Sequence, residues 1–467
     1  MAIENTRFAS DGRLSEWLRT ARRLHFIGVC GAGMRTLSAL AAHEGYLVSG
    51  SDDDTRGEGA LALGLLGIPV SLPSRDSGII DADMAVYSIA VRKDHPELAV
   101  ARERGIPAVS RADLLGALME GYGGRIGVAG THGKSTVTAM TASLLASLGR
   151  DPTVLAGAAI NPRGDGFRAG GRGLFVFEAC EYFDSFLSTS PTVAVLTNAE
   201  WDHPDYFRDE AASLASFRAY LTLPSVRLAV LSGDDAGARR LAEGLSRPYV
   251  TFGLSEGADV TARGLALGDG SSRFRLAVAG EEVGEVTLRV PGRHNVQNAL
   301  AAAAAAMAVG VAPEDIPTAL DGFSGIPRRT EYRGSLHGVA YYEDYAHHPT
   351  AIRAALLALR GKEGRLILVY QPHTFSRTEG FFSEMASALS AADLLILADT
   401  YAARETTEGG DPIRALAEAV GGVAIGTPEC AALYVRAHAR PGDRVVVMGA
   451  GDLGSRFFTG DLAFTGD

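Results

Sequence analysis

The feature that most constrains this 467-residue chain is the stretch Gly130-Thr131-His132-Gly133-Lys134-Ser135-Thr136, set between an apolar run at 125–129 and a helix-forming stretch at 135–148. A strand that ends in a glycine turn and continues as a helix aims successive backbone N–H groups at one point, where the helix macrodipole also favours negative charge. The residue order predicts a phosphate cradle. Loop amides surround the oxygens, Lys134 meets the β- and γ-phosphates, and the Ser135 hydroxyl binds Mg2+. Strict spacing asks for glycine at 128, where the chain has Val128, so the match rests on the Gly-Lys-Ser core and its strand–helix context. Lysine occurs only at 93, 134 and 362 among 44 basic residues, and one of the three stands in this loop. The expected ligand is ATP.

A chain of this length exceeds one hydrophobic core, and a prior of about 150 residues per domain gives roughly three domains. The loop just described sits in the second of three α/β units that follow one another: 1–122, 123–325 and 326–467. Strands are expected at 46–49, 84–89, 174–178, 193–197, 340–343, 366–370, 394–398 and 444–448. Several are apolar throughout, as in a parallel sheet covered on both faces. Residues 251–290 alternate like strands with turns at Gly268 and Gly280, and an alanine-rich helix is expected at 296–309. With 46% hydrophobic and 21% charged residues the composition is that of a globular protein. The most apolar candidate for a membrane span, 298–312, is mostly alanine, so no membrane insertion is expected. The start MAIENTRFAS lacks a basic segment followed by an apolar one, so no secretory signal is read. Three cysteines far apart fit a reducing, cytoplasmic setting. A net charge of −11 argues against a nucleic-acid surface.

A second glycine turn, Gly28-Val29-Cys30-Gly31-Ala32-Gly33, follows an apolar run, and Asp52 closes the next one after Ser51. Glycines at such a turn permit close approach of a pyrophosphate, and the acid often meets a ribose or base. The pattern is equally that of a tight structural turn or of a nicotinamide-dependent dehydrogenase.

Glu178 and Glu181 end one buried strand, and Asn198-Ala199-Glu200-Trp201-Asp202-His203 follows the next, at the carboxyl ends where α/β sheets bind ligands. Oxygen donors and an imidazole there suit Mg2+ against phosphate oxygens. Asn295, in Arg293-His294-Asn295, offers the donor and acceptor of an adenine edge, or a helix cap. Arg328 and Arg329 are candidates for phosphate contacts. The loops Asp344–Thr350 and Gln371–Arg377 complete the set. Six of the 11 histidines (132, 203, 294, 347, 348, 373) fall in these few loops.

Taken in order, the stretches GVCGAGM with SGSD, AGTHGKST, EACEYFDSFL, TNAEWDHPDYF, PGRHNVQNALAA, GIPRRTEYRG, DYAHHPT, YQPHTFSRT and GAGD resemble the Mur ligase family of peptidoglycan synthesis, from about residue 24 to 452. The resemblance implies a Rossmann-like UDP-binding domain, a P-loop-type central ATPase and a Rossmann-like C-terminal domain. It implies ATP-dependent amide formation through an acyl phosphate, with UDP-N-acetylmuramate and L-alanine as substrates and two Mg2+ ions. By family position, Gly130, Thr131, His132, Gly133, Lys134, Ser135 and Thr136 hold ATP phosphates. Ser135 and Glu178 bind one metal ion and His203 the other. His294 and Asn295 contact adenine, Arg329 a phosphate and Asp344 the ribose, while His348 and Arg377 face the substrate carboxylate and incoming amino acid. Gly28, Gly31, Gly33, Ser51 and Asp52 hold the UDP part. Lys134, His203, His348 and Arg377 form the catalytic set. Domain closure is expected to keep water from the acyl phosphate. A monomer or weak homodimer is expected.

Later-acting members of the family use a carbamoylated lysine in the central domain. Here the corresponding neighbourhood reads Ser216-Phe217-Arg218-Ala219, and no lysine lies between 134 and 362. That points to the alanine-adding type, with Arg218 either a fixed positive charge in that place or helix surface. Thr374 stands where many relatives of that type carry arginine. The neighbouring reading is a recycling ligase that joins a preformed peptide to the same nucleotide sugar.

Overall fold

The computed structural model describes residues 13–160, 166–403, 405–406 and 410–463. The chain forms two compact units. The first comprises 1–199, 214–251 and 301–312, the second 200–213, 252–300 and 313–467.

Two sheets make up the first unit. In the N-terminal one, five parallel strands run in the order Val70–Ser71, Leu47–Ser51, Arg23–Ile27, Met84–Tyr87, Ala108–Ser110. The order reverses beside Arg23–Ile27, and the glycine turn leaves from that switch point into the helix Ala32–His43. The other sheet centres on Gly124–Ala129, flanked in parallel by Val193–Leu196 and Gly171–Glu178. Leu228–Ser232 extends it on one side, and Pro152–Leu155 with antiparallel Phe167–Arg168 on the other. Ile126, Val128 and Ala129 are fully buried, as continuous apolar runs in a covered parallel sheet must be. One hydrophobic cluster joins both sheets, from Leu24 and Leu37 through Met119 and Tyr122 to Phe175, Phe186 and Tyr220. The contact is close: a Cβ on Gly116, in the helix Arg111–Met119, would lie 1.9 Å from the Ser188 carbonyl oxygen.

In the second unit the alternating region forms the antiparallel strands Val260–Leu267, Ser272–Val278 and Glu281–Leu288, turning near Gly268 and Gly280 as expected. A six-stranded sheet follows in the order Glu331–Leu336, Val339–Asp344, Arg444–Met448, Leu366–Tyr370, Leu394–Ala398, Val423–Gly426. All its neighbours are parallel except the first pair. Apolar clusters cover both faces, one around Tyr370 and Leu389, the other around Val447 and Phe457.

Sequence-based boundaries shift by a few residues. The alanine-rich helix runs Arg293–Met307, so Asn295 lies in its first turn and does not cap it. Asp344 ends the strand Val339–Asp344 and does not follow it.

Candidate functional site

In the first unit the phosphate-type loop has the backbone its residues predict. Gly130 sits at φ 136° and Gly133 at φ 81°, after which the 14-residue helix Lys134–Ser147 begins. Only glycine suits position 130: a Cβ there would fall 2.1 Å from Thr197 Oγ1. Asn198 clips the loop from the next strand end. Its Oδ1 accepts from the His132 N–H at 2.8 Å, and its Nδ2 donates to the His132 carbonyl at 3.1 Å. Lys134 Nζ donates to Gly130 O at 2.6 Å and to Glu181 Oε1 at 3.0 Å, and its ion pair with Glu181 brings Oε2 to 2.9 Å. Burial works against its charge, but the Glu181, Cys180 and Glu178 side chains hold its pKa above the ordinary value. The Ser135 hydroxyl donates to Glu178 Oε2 at 2.9 Å.

This donor set fits what the sequence assigned to it. Two positive-φ glycines, loop amides at the start of a long helix and a lysine suit phosphate oxygens. A hydroxyl beside a carboxylate suits the hard-oxygen preference of Mg2+. Thr131, His132 and Thr136 belong to the same turn, with Thr131 and Thr136 buried. Glu181 and Asn198 belong to the strand-end stretches read as oxygen donors for a metal ion; here Glu181 pairs with Lys134, and the Asn198 side chain holds the loop backbone at His132.

The glycine turn of the N-terminal sheet hangs on the end of the neighbouring strand. Ser51 O accepts the N–H groups of Gly28 and Val29 at 2.8 and 3.0 Å, and Asp52 Oδ2 accepts that of Cys30 at 2.9 Å. Gly31 caps the following helix and Gly33 lies in its first turn. Ser51 departs from expectation: it is fully buried and its hydroxyl donates inward to Glu97, so it supports the turn and offers no side-chain contact to a ligand. Arg111, missed in the sequence, lays its guanidinium over Gly33, 3.4 Å from where a Cβ would be, and its charge acts on Cys180. Burial and the Asp52 and Asp54 carboxylates push the Cys30 thiol up to about 11, which keeps it un-ionised.

Arg218 resolves as helix surface. Its guanidinium donates to the carbonyl of Arg240 at 3.2 Å, at the end of the helix Ala236–Ala242, where a cation complements the dipole.

In the second unit the histidine-rich loops surround a buried ion pair. Arg377 Nε and Nη2 meet Asp202 Oδ1 and Oδ2 at 3.0 and 3.3 Å, and Arg377 Nη1 donates to His373 Nδ1 at 3.0 Å. Burial opposes both charges, yet Arg377 holds the Asp202 carboxyl well below the usual range. Arg377 therefore presents only part of its fork to a ligand. Burial and the Arg377 charge lower His373 to about 4 and push His347 down strongly, so both are neutral at pH 7. His348 caps the helix Pro349–Leu359 through Nδ1, and its Nε2 lies 3.3 Å from Trp201 O. His203 adopts φ 55° with its N–H on Asp202 Oδ1 at 2.7 Å.

Desolvation lowers His294 to about 4, so it too is neutral. The Asn295 amide donates to Pro291 O at 2.8 Å and its oxygen accepts from Asn298 at 3.3 Å, so both edges are engaged within the turn. Both Asp344 oxygens accept backbone N–H groups, from Ala346 and Thr330 at 2.7 Å, although burial still raises its pKa. Arg328 and Arg329 stack over the Tyr345 ring at 5.0 and 4.7 Å. His203, Arg328, Thr330 and Thr374 adopt positive φ, so these loops carry non-glycine backbone strain.

Family models match three consecutive segments: the Mur ligase family catalytic domain over 23–122, the Mur ligase middle domain over 128–306, and the Mur ligase glutamate ligase domain over 328–451. The UDP-N-acetylmuramate–L-alanine ligase of Caldanaerobacter subterraneus is 36% identical over 451 residues, 93% of this chain and 96% of that protein. The enzyme of the same name from Acetivibrio thermocellus is 38% identical over 442 residues, 92% and 94% of the two chains. Among solved structures, the UDP-N-acetylmuramate-alanine ligase of Thermotoga maritima superposes with a TM-score of 0.78 at 26% identity, covering 93% of this chain and 97% of that one.

Proposed function

The chain belongs to the Mur ligase family, and from that premise we propose that it joins L-alanine to the carboxylate of UDP-N-acetylmuramate, converting ATP to ADP and phosphate, in peptidoglycan precursor synthesis. The observation that carries this reading is near full-length similarity to alanine-adding ligases together with the loop around Lys134. A muramoyl carboxylate oxygen attacks the γ-phosphorus and ADP leaves. The alanine amine then attacks the acyl carbonyl, phosphate departs with the C–O electron pair, and the amine gives up a proton.

The chemical obstacle is bringing anions together. Lys134 and the amides of Gly130–Gly133 offset charge on the phosphates, the more so in a dry site. Ser135 and Glu178 would hold one Mg2+ and His203 a second, and bound Mg2+ supplies charge neutralisation at the phosphate oxygens. Neutral His294 suits an adenine-contacting role, since an uncharged imidazole packs on a base without the desolvation cost of an imidazolium. The amides of the Gly28–Gly33 turn and the Asp52 side chain serve the UDP part. Arg329 serves a phosphate and Asp344 the ribose, while His348 and Arg377 orient the carboxylate and the amino acid. The set acts in the cytoplasm, on a chain in which no described helix is long and apolar enough to cross a membrane.

The test is phosphate release that requires ATP, Mg2+, UDP-N-acetylmuramate and L-alanine together and disappears in Lys134→Ala. Product formed with L-Ala-D-Glu-meso-diaminopimelate in place of L-alanine would move the assignment to the recycling ligase. Saturable NADH binding would revive the dehydrogenase reading. Phosphate release by Lys134→Ala would remove this loop from the reaction.

A further inference from the structure

Glu97, in the first turn of the helix Pro96–Arg104, is a fully buried carboxylate inside the N-terminal domain. Three donors converge on it: the Ser51 and Ser77 hydroxyls, and His25 Nε2 at 3.4 Å. His25 is itself fully buried and its Nδ1 pairs with Ser49 Oγ at 2.9 Å. Burial alone would raise the Glu97 pKa, but these hydrogen bonds outweigh it and keep the group ionised. An apolar side chain could fill the same space, so packing does not explain a charge there. Without the carboxylate, two buried hydroxyls and an imidazole N–H would lose their acceptor.

What the network holds still is the residue that orders the glycine turn. Ser51 is bound from inside by Glu97, while its carbonyl takes the N–H groups of Gly28 and Val29, and the next residue, Asp52, takes that of Cys30. Three consecutive turn amides are therefore registered by the Ser51 carbonyl and the Asp52 carboxylate.

We propose that Glu97 is a positioning residue for the nucleotide-sugar turn: by holding the Ser51 hydroxyl it fixes the strand end that sets Gly28–Cys30, and so sets affinity for the diphosphate of the UDP substrate. This rests on the assignment of that turn to UDP in the proposed function.

The experiment measures binding of UDP alone by calorimetry, with steady-state kinetics alongside, for wild type, Ser51→Ala, Glu97→Gln and Ser77→Ala. Ser51→Ala and Glu97→Gln should each weaken UDP binding and raise KM for UDP-N-acetylmuramate about tenfold, as expected when a hydrogen bond to a charged group is lost. The KM for ATP and kcat should stay within about twofold. The double variant should be no worse than the weaker single one, because both act through one bond. Ser77→Ala removes a donor from the same carboxylate without touching the turn, and should leave UDP affinity unchanged. Unchanged UDP affinity in Ser51→Ala, or an equal loss in Ser77→Ala, overturns the proposal. If Glu97→Gln does not fold, Ser51→Ala decides alone. A wild type that binds UDP yet releases no alanine-dependent phosphate overturns the ligase reading and leaves the positioning role standing.

Discussion

Arg377 and Asp202 pair through two parallel contacts, Nε–Oδ1 at 3.0 Å and Nη2–Oδ2 at 3.3 Å, in a setting where each side chain is about 5% exposed. Such a pair is costly to break from one side, because the remaining charge stays buried without its counterpart. Asp202→Asn should cost about 3–5 kcal/mol in urea unfolding. Adding Arg377→Met to that background should recover part of the loss. Equal destabilisation by the single and double variants would mean that the charge left on Arg377 is not the cause.

The neutral histidines give a pH signature. His294 and His373 are lowered to about 4 and His347 is lowered as well, from an ordinary value near 6.5. Below that ordinary value the unfolded chain binds protons that the folded chain does not, so stability falls as pH falls from about 6.5 toward 4. The Asp202 carboxylate adds its own loss only below the usual carboxylate range, since its pKa is depressed and its stabilisation is present at higher pH. Tm measured from pH 7.5 to 4.5 should decline over this interval, and less steeply in His294→Asn. A flat profile would show these imidazoles protonating freely.

Tyr220 stacks on Phe186 with ring centroids 4.7 Å apart, and its hydroxyl, without a hydrogen-bond partner among the described residues, presses on the strand at Gly127. A Cβ at Gly127 would lie 2.3 Å from that hydroxyl and 2.7 Å from Phe177 Cζ. Gly127→Ala should therefore cost about 1–3 kcal/mol by overpacking. Tyr220→Phe should be neutral or stabilising, since it removes a buried polar atom that has no hydrogen-bond partner among the described residues. The double variant should be less destabilised than Gly127→Ala alone, as read by thermal unfolding.

Asn198 grips both the N–H and the carbonyl of His132. Asn198→Ala should loosen the phosphate loop, raising KM for ATP about 10- to 30-fold, the equivalent of one or two hydrogen bonds. UDP binding should not change. An unaltered KM for ATP would mean that the glycines alone set the loop.

Much of this architecture was readable along the chain. Strands Leu366–Tyr370, Leu394–Ala398 and Arg444–Met448 fall where the apolar runs end, because a strand covered on both faces must be apolar over its whole length. The loop around Lys134 was equally plain, since glycine at 130 and 133 is a local backbone requirement. The helix that begins at Arg293 was placed three residues late, because Asn295 looks like a cap until its amide is seen bonded back to Pro291.

The linear order of residues determined the α/β class, the phosphate-type turn, the polar loops at strand ends and the absence of a central-domain lysine, all of which depend on neighbours within a few positions. Folding decided which of those loops meet. Sheet topology brings Asp202 to Arg377 across 175 residues, Glu97 to Ser51, Arg111 to Gly33 and Asn198 to His132. It also turns Ser51 inward, engages both edges of Asn295 and strips the charge from His294, His347 and His373 by desolvation. Protonation state and hydrogen-bond direction are properties of an environment assembled from distant segments, and no short stretch of sequence contains that environment.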